Sequence, residues 1–338
     1  MTRTWTTTFA AGLLPVLMFL GGLMLMDSYQ LVARRVVLRA LAAGAIAALL
    51  AFGANLVALR FLHVPPATLT GYIAPVIEET LKVLWVISLV RRDRVGFLVD
   101  AGILGFAVGA GFALVENIYY AQALADPNPI LWLVRGLGTA VMHGCTTAIA
   151  AVISKDLTDR HRSRALAWFL PGLAIAVVAH AVFNHLTFQP IVTIVIMLVS
   201  MPLLLLAVFT RSERATQEWL GMGLDAESEL LELIMSGEIS GTRVGHYLDS
   251  LKHRFSGPVV ADMLCLLQIQ LELSLRAKGM LIARSAGLSV PVDRDVRANF
   301  QELQFLEKSI GPTGRLAIMP FLRTHSRDLW QIHMMMKK

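Results

Sequence analysis

Residues 69–90 read LTGYIAPVIEETLKVLWVISLV, an apolar run whose middle carries Glu78, Glu79 and Lys82. About 20 apolar residues in helical form cross a hydrocarbon layer roughly 30 Å thick, so the run is long enough to span a bilayer. A charge at that depth costs about 2.5–3.5 kcal/mol on insertion scales. Charges packed this closely inside one span rarely persist without a role, and the chain around them has to supply their partners.

The rest of the chain supplies a membrane context. Of 338 residues 56% are hydrophobic and only 16% charged, and the apolar residues gather in the first two thirds, which a soluble core does not require. Seven segments qualify as spans, near residues 8–26, 36–59, 68–90, 97–121, 130–153, 165–187 and 190–209. Basic residues set their direction. Arg34 and Arg35, then Arg91, Arg92 and Arg94, then Lys155, Arg160, Arg162 and Arg164, and finally Arg211 and Arg214 fall on one side. The opposite side holds little more than Arg3 and Arg60. The positive-inside rule then predicts a multi-pass protein of the cell membrane, with its N-terminus outside and its C-terminal segment in the cytoplasm. The first span has only Arg3 as a basic flank and no small-x-small cleavage site, so it reads as an uncleaved helix.

From about Arg211 the pattern changes to charges alternating with short apolar groups at helical period, in stretches such as ESELLELIMSG and VVADMLCLLQIQLELSLRAKGMLIARSAG. Gly287 reads as a helix stop, and Gly311, Pro312 and Gly314 as a break between two helices. The expected fold is therefore all-α: a transmembrane bundle of about seven helices over residues 1–210, followed by a helical cytoplasmic domain over 211–338. Nothing in that second part has catalytic spacing, and its partner is not named by its residues. Cys145 and Cys265 fall in different compartments on this topology and form no disulfide framework. The net charge of +6 follows from loops facing anionic lipid, and no basic-aromatic interleaving points to nucleic acid.

Within the spans the polar residues are few: Asn55, Glu78, Glu79, Lys82, Glu116, Asn117, His143, His180, Asn184 and His185. At 1.5 Å per residue, Glu78 lies about 15 Å below the outer end of its helix and Glu116 about 8 Å below, with His143 about 20 Å in. His180 and Asn184 come about 10 and 5 Å from the exit of theirs. Four helices thus present polar groups at compatible depth, as the lining of one site in the outer half of the bilayer would require. Glu78 and Lys82 share a face at i,i+4, whereas Glu79 is turned by about 100°. A Glu78–Lys82 pair would leave Glu79 free to meet another helix; the reverse division fits the spacing equally well. Asn55, alone on its span, reads as a contact between helices, and His185 points away from His180. The spacing of Gly102, Gly105 and Gly109 predicts close helix packing.

Carboxylates, imidazoles and an amide around one wet pocket suit hydrolysis of a peptide bond, with one carboxylate taking a proton from water. Two histidines with carboxylates also suit zinc, although the HExxH spacing is missing. No GxSxG elbow is present, and His143 and Cys145 at i,i+2 do not face each other. A third possibility is a non-catalytic scaffold or immunity-type membrane protein that uses the same cluster for helix recognition.

Four short motifs occur in order on successive spans: EExxK in PVIEETLKVLW, FxxxE in GFALVEN, a histidine in AVMHGC and HxxxN in AHAVFNH. Together they resemble the PrsW family of intramembrane proteases, related to CAAX-processing and bacteriocin-immunity membrane proteases, over about residues 10 to 210. The resemblance implies a glutamate-dependent endopeptidase with no required cofactor, which cuts membrane-anchored protein substrates, in some members an anti-sigma factor. It carries Glu78, Glu79, Lys82 and Glu116 onto the motif positions and makes His180 and Asn184 the oxyanion donors. CAAX-type relatives have histidine where this chain has Glu116, and His143 is placed to supply the missing imidazole. On this basis Glu78 is expected to be the general base, with Glu79, Glu116 or His143 assisting.

Overall fold

The computed structural model describes residues 2–27, 32–124, 132, 135–185, 190–288, 294–319 and 321. Parts of two expected spans, residues 130, 131, 133 and 134 of the fifth and 186 and 187 of the sixth, lie outside them. All regular structure among the described residues is helical, and the chain divides into two compact units, Met1–Ser212 and Glu213–Lys338.

The first unit contains α1 (Thr2–Leu25), α2 (Arg34–Leu62), α3 (Ala74–Arg91), α4 (Leu98–Leu124), α5 (Ala140–Arg160) and α6 (Leu170–Asn184). The next helix, α7 (Pro190–Met235), starts in this unit and contains the unit boundary. Helix ends follow local chemistry. His63 closes α2 in the left-handed region just before Pro65 and Pro66, which cannot continue a helix. Asp100 sits in the first turn of α4 and reaches back to accept hydrogen bonds from the Gly96 and Phe97 backbone amides at 2.9 and 3.2 Å.

Helix α4 is the hub of this unit. Its Ile103, Phe106, Ala107, Val108 and Ala110 are wholly buried, and it packs along both α2 and α5. Glycine permits that approach. A Cβ on Gly109 would run into the His143 carbonyl of α5, one on Gly111 into the Leu41 carbonyl, and one on Gly44 of α2 into the Val108 carbonyl. Helices in lipid associate through such backbone-to-backbone packing, because lipid tails are as apolar as leucine side chains. Leu38, Ile46, Leu49, Leu50 and Phe52 on α2 and Ile175, Val178 and Val182 on α6 stay exposed, a surface suited to hydrocarbon. Gly109→Val is expected to lower stability by at least about 1–3 kcal/mol through overpacking, read as a lower thermal unfolding midpoint in detergent.

Among the described residues, two π turns interrupt the helical geometry. One, Leu69–Ile73, runs straight into α3, and the other, Arg135–Thr139, runs straight into α5. Such turns redirect side chains and carbonyls, and they concentrate at functional sites.

Five described segments are long and apolar enough to cross a membrane: Arg34–Phe61, Leu98–Ala123, Arg135–Arg160, Leu166–Asn184 and Gly257–Ser285. A shorter apolar helix covers Ala10–Leu25. The segment with Glu78, Glu79 and Lys82 is not among the five, because those charges sit within its apolar core. Gly257–Ser285 qualifies by length and composition although it lies outside the seven spans expected from the sequence.

The second unit holds the remainder of α7, α8 (Arg243–Leu251), α9 (Gly257–Ser285) and α10 (Arg294–Ile318). Thr242 caps α8, its Oγ1 accepting from the Gly245 amide at 3.1 Å. Gly287 follows α9 with φ 76°, as its stop requires, and Gly311 breaks α10 at φ 65° just before Pro312. The buried faces of α9 (Met263, Leu266, Leu267, Leu273, Leu281) and α10 (Val296, Phe300, Ile310, Ile318) form this unit's core. Lys278 is buried within it and paired with Glu227 at 2.7 Å.

Candidate active site

Helix α3, entered through the first π turn, delivers Glu78, Glu79 and Lys82, and α4 delivers Glu116. His143 comes from α5 and His180 from α6. These six side chains meet in one connected network. Lys82 Nζ lies 2.5 Å from Glu79 Oε1 and 3.0 Å from His143 Nδ1. The same Glu79 oxygen accepts from Thr146 Oγ1 at 3.2 Å and stands 2.8 Å from His180 Nδ1. His143 Nε2 lies 2.8 Å from Glu116 Oε2. The His143 and His180 rings meet edge to face with centroids 4.8 Å apart, and Lys82 Nζ lies 4.7 Å from the centre of the Phe112 ring.

The division of labour between the two adjacent acids is the reverse of the i,i+4 pairing. Lys82 bonds Glu79 at i,i+3, and both are fully buried. Glu78 turns instead toward α2, where Asn55 Nδ2 donates to its Oε1 at 3.2 Å. Asn55 does join two helices, and it does so through this carboxylate. Glu78 keeps 15% exposure, and its Oε2 lies 3.9 Å from His180 Nε2.

Hydrogen-bond logic assigns the protons. An ammonium only donates, so His143 Nδ1 accepts from Lys82 and the neutral ring carries its proton on Nε2, donating to Glu116. A carboxylate only accepts, so His180 donates from Nδ1 to Glu79, and in the neutral ring this leaves Nε2 bare. The bare nitrogen and Glu78 Oε2 therefore face each other as two acceptors. A water placed there would donate to both.

Asn184 is placed differently. Its side-chain amide donates to the Thr70 carbonyl in the first π turn at 2.9 Å, a bond between α6 and the entrance to α3. His185 packs against Tyr72 with ring centroids 4.5 Å apart, and a Cβ on Gly71 would come within 2.9 Å of its ring. Both residues thus hold α6 to the first π turn.

Arg135 joins the network from outside the sequence-derived set. Its Nη2 lies 3.4 Å from Glu116 Oε1, its Nε donates to Asn117 Oδ1 at 3.1 Å, and its guanidinium lies 3.9 Å from the centre of the Tyr120 ring. The signal was present in the sequence: an arginine inside the expected fifth span carries the same insertion penalty as the glutamates. Thr146 gave no such signal, because a buried hydroxyl costs little and threonine is common in membrane helices.

The donor set also fits a divalent cation. Glu78, His143 and His180 each offer a ligand atom, all within 4.8 Å of one another, and each histidine rests its other ring nitrogen on or near a carboxylate. Lys82 already occupies the position next to His143 Nδ1, so ligation through that nitrogen would require the ammonium to move. With neutral imidazoles and ionised carboxyls, three acids face Lys82 and Arg135, and the excess negative charge favours a proton or an entering cation.

Neither the curated proteins nor the solved structures provide a match to the chain. The family model described as PrsW family intramembrane metalloprotease matches residues 32–208, more than half of the chain and a stretch that holds the entire network. The chain belongs to the PrsW family of intramembrane proteases.

Proposed function

We propose that this protein is a glutamate-dependent intramembrane endopeptidase in which Glu78 activates the attacking water. The observation that carries the reading is the unequal treatment of the adjacent acids. Glu79 is fully buried and locked through its Oε1 by Lys82, Thr146 and His180, with its Oε2 enclosed and unpartnered, whereas Glu78 is 15% exposed and turns its Oε2 toward His180 Nε2. Water held by these two acceptors gives a proton to Glu78 as its oxygen attacks the scissile carbonyl. As the C–N bond breaks, Glu78 returns that proton to the leaving nitrogen, giving a new carboxyl end and a new amino end. Glu79 and Lys82 hold His180 in the tautomer that this step needs. His180 is an oxyanion donor in the resembling family; here its donor nitrogen is held by Glu79, and its open nitrogen serves the water. Asn184 would have to leave the Thr70 carbonyl to donate to an oxyanion.

The substrate class is a membrane-anchored protein, with single-pass anti-sigma factors as the proposed example. Charge distribution supports seven spans, an outer N-terminus, a site in the outer half of the bilayer and a cytoplasmic helical domain from about residue 211. The charges of Gly257–Ser285, among them Asp262, Glu272 and Arg276, and its apolar packing within the second unit favour placing that helix outside the bilayer.

A second reading is metal-dependent hydrolysis, favoured by the Glu78–His143–His180 constellation. Zinc held by those residues would supply Lewis-acid chemistry. Cleavage of a membrane-anchored reporter in proteoliposomes, with and without a strong chelator, separates the two readings. Undiminished cleavage after chelation is expected. Loss restored by added zinc, and not by magnesium, would instead establish the metal-dependent reading. Absence of cleavage in every arm, across a panel of anchored reporters, would overturn the protease reading of this site.

A further inference from the structure

We infer that Arg135 is a positioning residue of the active site, which sets His143 through Glu116. The inference rests on the peptidase reading above and extends it to the second π turn.

The guanidinium is constrained from three directions. Asn117 Oδ1 accepts from its Nε, the Tyr120 ring lies beneath it, and Glu116 Oε1 faces Nη2. Asn117 is fixed in turn, because its Nδ2 donates to the Gly12 carbonyl of α1 at 2.9 Å. Arg135 keeps 15% side-chain exposure and Glu116 25%, so the pair stands at the more open edge of the network. The fork geometry of arginine suits this task, since one nitrogen can hold the asparagine while another holds the carboxylate.

The consequence passes along a chain of contacts. Glu116 has two oxygens with separate tasks: Oε1 faces Arg135, and Oε2 accepts from His143 Nε2. With Oε1 drawn toward the guanidinium by an ion pair at 3.4 Å rather than by a hydrogen bond, Oε2 is aimed at the imidazole and the Nε2–H tautomer is retained. His143 Nδ1 is then an acceptor for Lys82, which holds the ammonium against Glu79. Glu79 in turn holds His180 opposite Glu78. Loss of Arg135 frees Glu116 to rotate toward solvent, and the alignment of the inner groups loosens.

Arg135 belongs to the second π turn, whose geometry directs side chains differently relative to α4 than a regular α-helix would. Gly136 directly after it lies close to the Ala11 carbonyl of α1, so there is no room for a larger residue at the next position.

The test measures cleavage kinetics of a membrane-anchored reporter in proteoliposomes for wild type, Arg135→Gln, Arg135→Lys, Glu116→Gln and the Arg135→Gln/Glu116→Gln pair. Glu78→Gln serves as the control on the peptidase reading. Misalignment of a supporting group is expected to lower kcat by about 10–100-fold with KM changed less than twofold. Arg135→Lys should recover part of the loss, because charge remains while the fork is lost. The double variant should be no slower than Glu116→Gln alone, since Arg135 acts through Glu116. Losses that multiply, or a change confined to KM, would overturn the positioning role. Wild-type kinetics in Arg135→Gln with an inactive Glu78→Gln would overturn this inference alone. Full cleavage by Glu78→Gln would overturn the peptidase reading itself. Thermal unfolding in detergent accompanies each variant, and Arg135→Lys carries the comparison if Arg135→Gln unfolds.

Discussion

Glu78→Gln is expected to reduce cleavage of a membrane-anchored substrate by about 10²–10⁴-fold, the usual contribution of a general base, with little change in folding. The amide occupies the same volume and still meets Asn55, but it has no carboxylate to accept a proton from water. Asn55 makes only one hydrogen bond to this side chain, so the packing between α2 and α3 is preserved. The comparison is made at equal amounts of folded protein, judged by elution as a single species and by the thermal midpoint. An inactive but normally stable Glu78→Gln is the expected pair of results. Retained cleavage at a normal rate would remove Glu78 from the reaction.

Glu79→Gln should behave differently. Here the main effect is on stability, because the change strips the charge partner from a fully buried Lys82 and weakens the bonds from Thr146 and His180. Breaking a buried ion pair on one side costs about 3–5 kcal/mol, since the remaining charge has no compensation. Lys82→Met should be destabilising for the converse reason. The pair Glu79→Gln/Lys82→Met should recover much of the loss, because a matched removal leaves no isolated charge. Activity should not return with stability, as His180 then lacks the carboxylate that sets its tautomer. The measurement is a double-mutant cycle of unfolding midpoints in detergent, combined with cleavage rates. A Glu79→Gln protein that is stable and fully active would contradict the locking role.

These two variants separate what the adjacent acids do, which no variant of either residue alone achieves. The distinction also guards against a common confusion in membrane enzymes, where a loss of activity follows from unfolding. Glu78 has some exposure and one amide partner; Glu79 has none and holds three donors on one oxygen. Burial and partner number therefore predict opposite balances of kinetic and stability effects.

Much of this site was legible in the chain itself. Glu78, Glu79, Lys82, Glu116, His143 and His180 stand out because a polar group inside an apolar run is expensive, so its presence alone carries information. Their depths follow from the rise of a helix, and compatible depths on four helices foretold one cluster. Arg135 was legible by the same rule, though it lies near the end of the expected fifth span, where its charge resembles an ordinary flanking residue. Thr146 was not, since its type is unremarkable in a membrane helix and only its position against Glu79 gives it a role. Asn184 shows the opposite limit. Its motif position is plain, yet its amide is directed to the Thr70 carbonyl by a π turn that apolar periodicity does not reveal.

The sequence by itself determined the helical membrane class, the position of the charged helix and the set of groups that enter the site. These follow from transfer free energy and helical period, which depend on residue type and spacing alone. Only the tertiary structure decided which acid Lys82 neutralises, which oxygen stays open beside His180, and that Arg135 closes on Glu116. Those outcomes depend on the rotation of each helix about its axis and on backbone approach at Gly44, Gly109 and Gly111. A difference of one rotamer or about 100° of helix phase exchanges the partners of Glu78 and Glu79 without changing a single residue.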